Sequence, residues 1–129
     1  GEEGNFWDPS ICQGGRFGYR YIQNDITSVT ISNGIEVIGG SAFSTSQALN
    51  KIIIPSSVKT IETNVFHCCI ALNEIIIPNN VKTMGSTEFY AIPSITVHVP
   101  WKEGAKPEGW ADDWNSTSSE CTITVDYAK

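Results

Sequence analysis

A chain of 129 residues with 40% hydrophobic residues is long enough for one packed domain and too apolar for general disorder. Fourteen acidic against eight basic side chains give a net charge of −6 at pH 7. The basic residues are scattered singly, which excludes a phosphate-binding surface and with it nucleic acid as a partner. No apolar run approaches the roughly 18 residues of a membrane span; candidates such as Ile52-Ile53-Ile54 stop at a proline.

Residues 1–25 carry no clear repeat and are expected to form an N-terminal cap. Within them Phe17-Gly18-Tyr19-Arg20-Tyr21-Ile22 alternates enough for a strand, turning at Gln23-Asn24-Asp25. Gly1-Glu2-Glu3 reads as a trimmed start, so the lack of an export signal there carries no information on compartment. Four cysteines stand at 12, 68, 69 and 121. An even number permits disulfides in three pairings, but the spacing is not that of a disulfide scaffold. Adjacent Cys68 and Cys69 could form only a strained bridge with each other. Cys12 and Cys121 fall at opposite ends, so free thiols or an intermolecular link are expected.

From residue 26 the chain repeats itself. Ile31-Ser32-Asn33-Gly34-Ile35, Ile54-Pro55-Ser56-Ser57-Val58 and Ile77-Pro78-Asn79-Asn80-Val81 recur every 23 residues. The same step links Val29, Ile52 and Ile75, then Ile38, Ile61 and Met84, then Phe43, Phe66 and Phe89. Leu49-x-x-Ile52-x-Ile54 and Leu72-x-x-Ile75-x-Ile77 open their units with an alternation that suits a short strand with one face inward. The proline that follows cannot donate to a ladder and ends it. The segment around each phenylalanine is too brief for a long helix, so a helical or 3₁₀ turn is predicted there. One such unit cannot bury its apolar face alone; stacked units form a continuous core with a parallel sheet along one side. The predicted fold class is therefore an α/β repeat solenoid, mostly β, with residues 26–100 forming three to four 23-residue repeats.

This pattern resembles the BspA-like leucine-rich repeats, whose unit reads approximately I-P-x-x-V-x-x-I-x-x-x-A-F-x-x-C-x-x-L. Ile38-Gly39-Gly40-Ser41-Ala42-Phe43 and Val65-Phe66-His67-Cys68-Cys69-Ile70-Ala71-Leu72 carry it. Cys69 matches the family's cysteine; the other units have Ser46 and Ile92 there, and the unit after Ile95 is one residue short. The resemblance implies a leucine-rich-repeat right-handed coil that is secreted or attached to the cell surface, in bacteria and some protists.

Residues 101–129 read as a C-terminal cap. Trp101, Trp110 and Trp114 lie in a Gly-, Pro- and Asp-rich loop, and Cys121-Thr122-Ile123-Thr124-Val125 reads as a closing strand. The Val-Pro-Trp segment with a later Trp-Asn also resembles the C-terminal ends of bacterial members of the family.

The residues offer little chemistry. His67-Cys68-Cys69 places a base beside a thiol, but neighbours on a tight coil point apart and no third group is in register to orient them. A structural thiol at Cys69 is the plainer reading, and Cys68, one residue earlier, is placed near the surface. No C-x-x-C pair suggests zinc. Asp112-Asp113-Trp114-Asn115 lacks the alternating acids of a calcium loop. Asn115-Ser116-Thr117 matches a glycosylation sequon, which matters only in a host with the machinery. Gly14-Gly15 and Gly39-Gly40 lack the surroundings of a phosphate loop. No catalytic, metal or cofactor site is expected, and the chain reads as a non-enzyme.

The outward face of the strands is more informative. If Ile52 and Ile54 point inward, Lys51 and Ile53 point outward, with Glu74 and Ile76 one unit on and Thr96 and His98 beyond. A small apolar centre with a polar rim is a common form of binding surface. The candidate interaction surface is Lys51, Ile53, Glu74, Ile76 and His98, together with Trp101, Trp110 and Trp114, although tryptophans serve cores as readily as interfaces. The functional expectation is a non-catalytic extracellular adhesion-type module that binds protein or glycan partners. The alternative is a spacer or capping domain of a larger surface protein, with no ligand of its own.

Overall fold

The computed structural model describes residues 26–129; the strand expected at Phe17–Ile22 lies outside the described residues. Eight short strands make up the described fold: β1 Ser28–Thr30, β2 Val37–Ile38, β3 Lys51–Ile53, β4 Thr60–Ile61, β5 Glu74–Ile76, β6 Thr83–Met84, β7 Ser94–His98 and β8 Thr122–Asp126. All the pairings are parallel. In β1–β3, Val29 faces Ile52; in the β2–β4–β6 sheet, Ile38 faces Ile61, which faces Met84. The 23-residue period of the sequence is thus the register of the ladders. In the β5–β7–β8 sheet the step changes: Ile75 faces Val97, and Ile95 faces Ile123, because the unit ending in Pro100 is short and the next one carries the tryptophan loop.

The inward positions of each strand and the three phenylalanines fill one core. Leu49, Val58, Ile61, Phe66, Leu72 and Phe89 are fully buried. Phe43 stacks on Phe66 at 6.1 Å between ring centroids, and Phe66 on Phe89 at 5.5 Å with the rings nearly parallel. Trp114 closes the column edge-on against Phe89 at 6.2 Å.

The predicted helical or 3₁₀ turns are not formed. Among the described residues there is no helix, and the segments around the phenylalanines are hydrogen-bonded turns, as in Ser46 N–H to Phe43 C=O and Cys69 N–H to Phe66 C=O. The reason is in the backbone. Each of these segments holds two residues in the left-handed region four positions apart: Ser41 and Thr45, Asn64 and Cys68, Thr87 and Ala91. Such residues interrupt a right-handed helix before it completes a turn. Their N–H groups donate to the next unit instead, Thr45 to His67 C=O and Cys68 to Tyr90 C=O. The class is therefore mostly β, with short parallel strands in small sheets.

The C-terminal segment covers the last unit by imitating one. Thr87 N–H donates to Asp113 C=O and Glu88 N–H to Trp114 C=O, while Ala91 N–H is received by the Thr117 hydroxyl where earlier units use a carbonyl. Gly109 lies where any Cβ would stand 2.3 Å from the Lys82 carbonyl oxygen, so glycine alone permits this approach.

Candidate functional site

The outward side chains of β3, β5, β7 and β8 make one continuous surface. Lys51 and Ile53 project from β3, and Glu74 and Ile76 from β5. The β5–β7 register sets Glu74 beside Thr96 and Ile76 beside His98, and β8 adds Asp126 beside His98. Ile53 is 47% exposed and Ile76 66%. Between them runs a groove of about 610 Å³, floored by Ile52, Ile54 and Ile75 and flanked by Asn50, Lys51, Asn73 and Glu74.

The groove marks a break in the sheet. β1 is hydrogen-bonded to β3, and β5 to β7, but β3 and β5 are not paired. Ile31 N–H reaches Ile53 C=O at 3.0 Å, and Ile77 N–H reaches His98 C=O at 2.9 Å; the corresponding bond from Ile54 N–H to Ile76 C=O is not made. Likewise Lys51 N–H meets Thr27 C=O and Thr96 N–H meets Asn73 C=O, whereas Glu74 N–H does not meet Asn50 C=O. The two strands remain neighbours, with Cα atoms within 8 Å.

Glu74 turns away from Lys51. Its carboxylate takes His98 Nε2 at 2.6 Å, and Asp126 takes His98 Nδ1 at 2.6 Å. Ionised carboxylates only accept, so the two bonds together require the imidazolium. The hydrogen bonds that His98 donates to Glu74 and Asp126 hold its pKa above its ordinary value of 6.5. No ion pair joins Lys51 to Glu74 among the described residues. Asp126 was not among the sequence-derived candidates; the alternation Thr122-Ile123-Thr124-Val125-Asp126 is the signal that sets it on the outer face.

The tryptophans require a correction. Trp110 and Trp114 are 1% and 3% exposed and belong to the core, and Trp101 is half-buried against them. Trp110 packs edge-on against Trp114 at 5.1 Å and against Trp101 at 5.3 Å, and its Nε1–H donates to Val81 C=O. Rings of this size at the end of a stack replace the next unit's apolar side chains. Trp110 and Trp114 are withdrawn from the candidate surface.

Cys68 also lies otherwise than expected. It is fully buried and disulfide-bonded, so it has no thiol to offer as a nucleophile, although Sγ stands 3.1 Å from His67 Nδ1. His67 is itself buried, stacked on Tyr90, and lowered in pKa by that burial. Cys69 and Cys121 are free. Cys69 donates to Phe43 C=O at 3.0 Å, and burial pushes its thiol up to about 12. Asp112 pairs with Lys106 at 3.2 Å.

Another buried group escaped the sequence reading. Glu88 is fully buried at the position that Ala42 and Val65 occupy in the preceding units. The 23-residue register alone could have flagged it.

Short parallel strands stacked at a 23-residue step, broken only at the C-terminal end, over a ladder of phenylalanines define a leucine-rich-repeat protein. The family model of the BspA type leucine rich repeat region (6 copies) matches residues 18–102, and the chain belongs to that family. The match begins eight residues before the 23-residue apolar pattern sets in at Ile26. Comparison with curated proteins and with solved structures gives no match. Members of the family are generally surface-associated adhesion or binding proteins. No helix among the described residues is long and apolar enough to cross a membrane.

Proposed function

We propose that this protein is a non-catalytic, extracellular or cell-surface adhesion module. In this reading it is a right-handed solenoid that binds a protein or glycan partner on a host or neighbouring cell through its outer strand face. The observation that supports it best is the pair Ile53 and Ile76, both exposed on the lips of the same groove, with Lys51 and Glu74 as its polar rim. Two exposed branched apolar side chains beside one groove make a small apolar centre of the kind that binding surfaces use. The disulfide at Cys68 agrees with an oxidising compartment, since glutathione and thioredoxin keep most intracellular thiols reduced. The burial of the cap tryptophans concentrates the reading on the strand face.

Binding of the purified chain to matrix proteins, cell surfaces and glycans tests the proposal, with an Ile53→Asp, Ile76→Asp double variant alongside. Saturable binding that disappears in a variant with an unchanged circular dichroism spectrum supports the groove. Binding retained in that variant would overturn the assignment to this face. Absence of binding to every surface would favour a spacer domain without a ligand.

A further inference from the structure

We propose that His98 is a protonation-dependent latch on the seam between β3 and β5: it holds the Glu74 carboxylate toward β7, and its loss of a proton hands Glu74 to Lys51 and draws the two strands together. The proposal does not depend on which partner the groove takes.

The seam is a local feature of one side of the molecule. On the other side β2, β4 and β6 pair without interruption, Ile38 to Ile61 to Met84, so the same two units are joined there and parted here. Below the seam Phe66 bonds Glu88 C=O through its N–H and stacks on Phe89, which ties the two units through the core. Opening and closing at β3–β5 is therefore a hinge about a continuous back sheet. On the C-terminal side of the seam, β5, β7 and β8 are clamped together by one imidazole bonded to two strands at once.

The charged groups around that imidazole decide the direction. β5 presents Glu74, β8 presents Asp126, and β3 presents Lys51 across the seam; β7 itself, from Ser94 to His98, adds no other charge. While His98 carries both protons, each carboxylate has a charge-assisted donor at 2.6 Å. A neutral imidazole has one N–H to give, so one carboxylate must find another partner. Asp126 has no second cation beside it among the described residues. Glu74 has Lys51, which holds the equivalent outward position one unit back. Closing the seam would also pair the free Ile54 and Glu74 N–H groups with Ile76 and Asn50 carbonyls, as on either side of it.

Amide hydrogen exchange read by NMR on the whole chain tests the latch. At pH 6 the Ile54 and Glu74 amides exchange without protection in the wild type. In His98→Ala at the same pH, Glu74 is released and both amides slow by about twofold to fivefold, the range set by one exposed ion pair. Lys51→Met placed in the His98→Ala background removes that slowing. The wild type, followed upward in pH with intrinsic rates divided out, shows the same protection appearing as the His98 ring resonances titrate. Equal exchange at both amides in wild type and His98→Ala, with no change across the His98 titration, would overturn the proposal. So would a His98 titration that Glu74→Gln leaves unmoved.

Discussion

Glu88 Oε1 accepts a hydrogen bond at 3.0 Å from the N–H of Val65, the residue that holds the same place one repeat earlier. Its other oxygen is buried with no partner among the described residues. Burial pushes the carboxyl up to about 8, against the smaller opposing effect of the Val65 and Gly85 backbone N–H groups near it. Between the ordinary value of 4.5 and about 8 the fold retains a proton that the unfolded chain has lost. Stability therefore falls with rising pH across that window, by at most about 1.4 kcal/mol per unit, and levels off above it. Glu88→Gln keeps an acceptor for Val65 and cannot ionise. Urea unfolding from pH 4.5 to 9 should show the variant about equal to wild type at the acid end and several kcal/mol more stable, to order of magnitude, above pH 8. His98 acts in the same direction, its stabilisation being complete below pH 6.5 and lost as pH rises through its raised folded value. The difference between wild type and Glu88→Gln cancels that contribution.

The phenylalanine column predicts graded costs. Phe66 is fully buried between two stacked rings, so Phe66→Ala should lose about 3–5 kcal/mol in denaturant unfolding. Phe43 is only half-buried at the end of the described column, and Phe43→Ala should lose distinctly less. Equal losses would mean that the column does not carry the core.

Trp110 is expected to hold the C-terminal segment on the stack. Trp110→Ala removes a buried ring, its contacts with Trp101 and Trp114, and a donor to Val81 C=O, and should cost about 3–5 kcal/mol. Near-ultraviolet circular dichroism should lose the tryptophan signal in the same variant. Gly109→Ala tests the same docking by adding one methyl group against Lys82 C=O, with an expected loss of about 1–3 kcal/mol.

Left-handed residues at fixed places predict a gain. Ala91 has φ of +69°, where an L side chain costs about 1–2 kcal/mol and glycine costs nothing sterically. Glycine also loosens the unfolded chain, so Ala91→Gly should leave a net stabilisation of up to about 1 kcal/mol, read as a rise in urea midpoint. The same exchange at a position with negative φ, such as Ala111, should destabilise.

Thiol chemistry separates the free cysteines. Cys69, buried and pushed up to about 12, should stay silent to a neutral thiol reagent in the native protein. Cys121 is partly exposed and should react. Mass mapping after labelling, native and then in denaturant without reductant, should find Cys69 modified only in the second case. Native labelling at Cys69 would contradict its place in the core.

Much of this protein is legible in the sequence because its register is. Six apolar positions repeating at 23 residues fix which side chains go inward, since only one stacking brings Val29 over Ile52 and Phe66 over Phe89. The outward places of Ile53, Ile76 and His98 follow from strand alternation alone. Other features depend on where the chain goes between those anchors. Of the left-handed residues that forbid a helical turn, only Asn64 is of a type that favours that backbone; the serine, threonines, cysteine and alanine do not announce it in a sequence. The burial of Trp110 and Trp114 came from the tertiary structure, because a ring in a loop finds its level only when the loop has an exposed stack to cover. The bridge from Glu74 through His98 to Asp126 likewise depends on three strands brought together from 24 and 28 residues apart. The repeat determines the core because hydrophobic burial is additive and periodic; the ends and the seam escape it because each is a single event, decided by what happens to lie opposite.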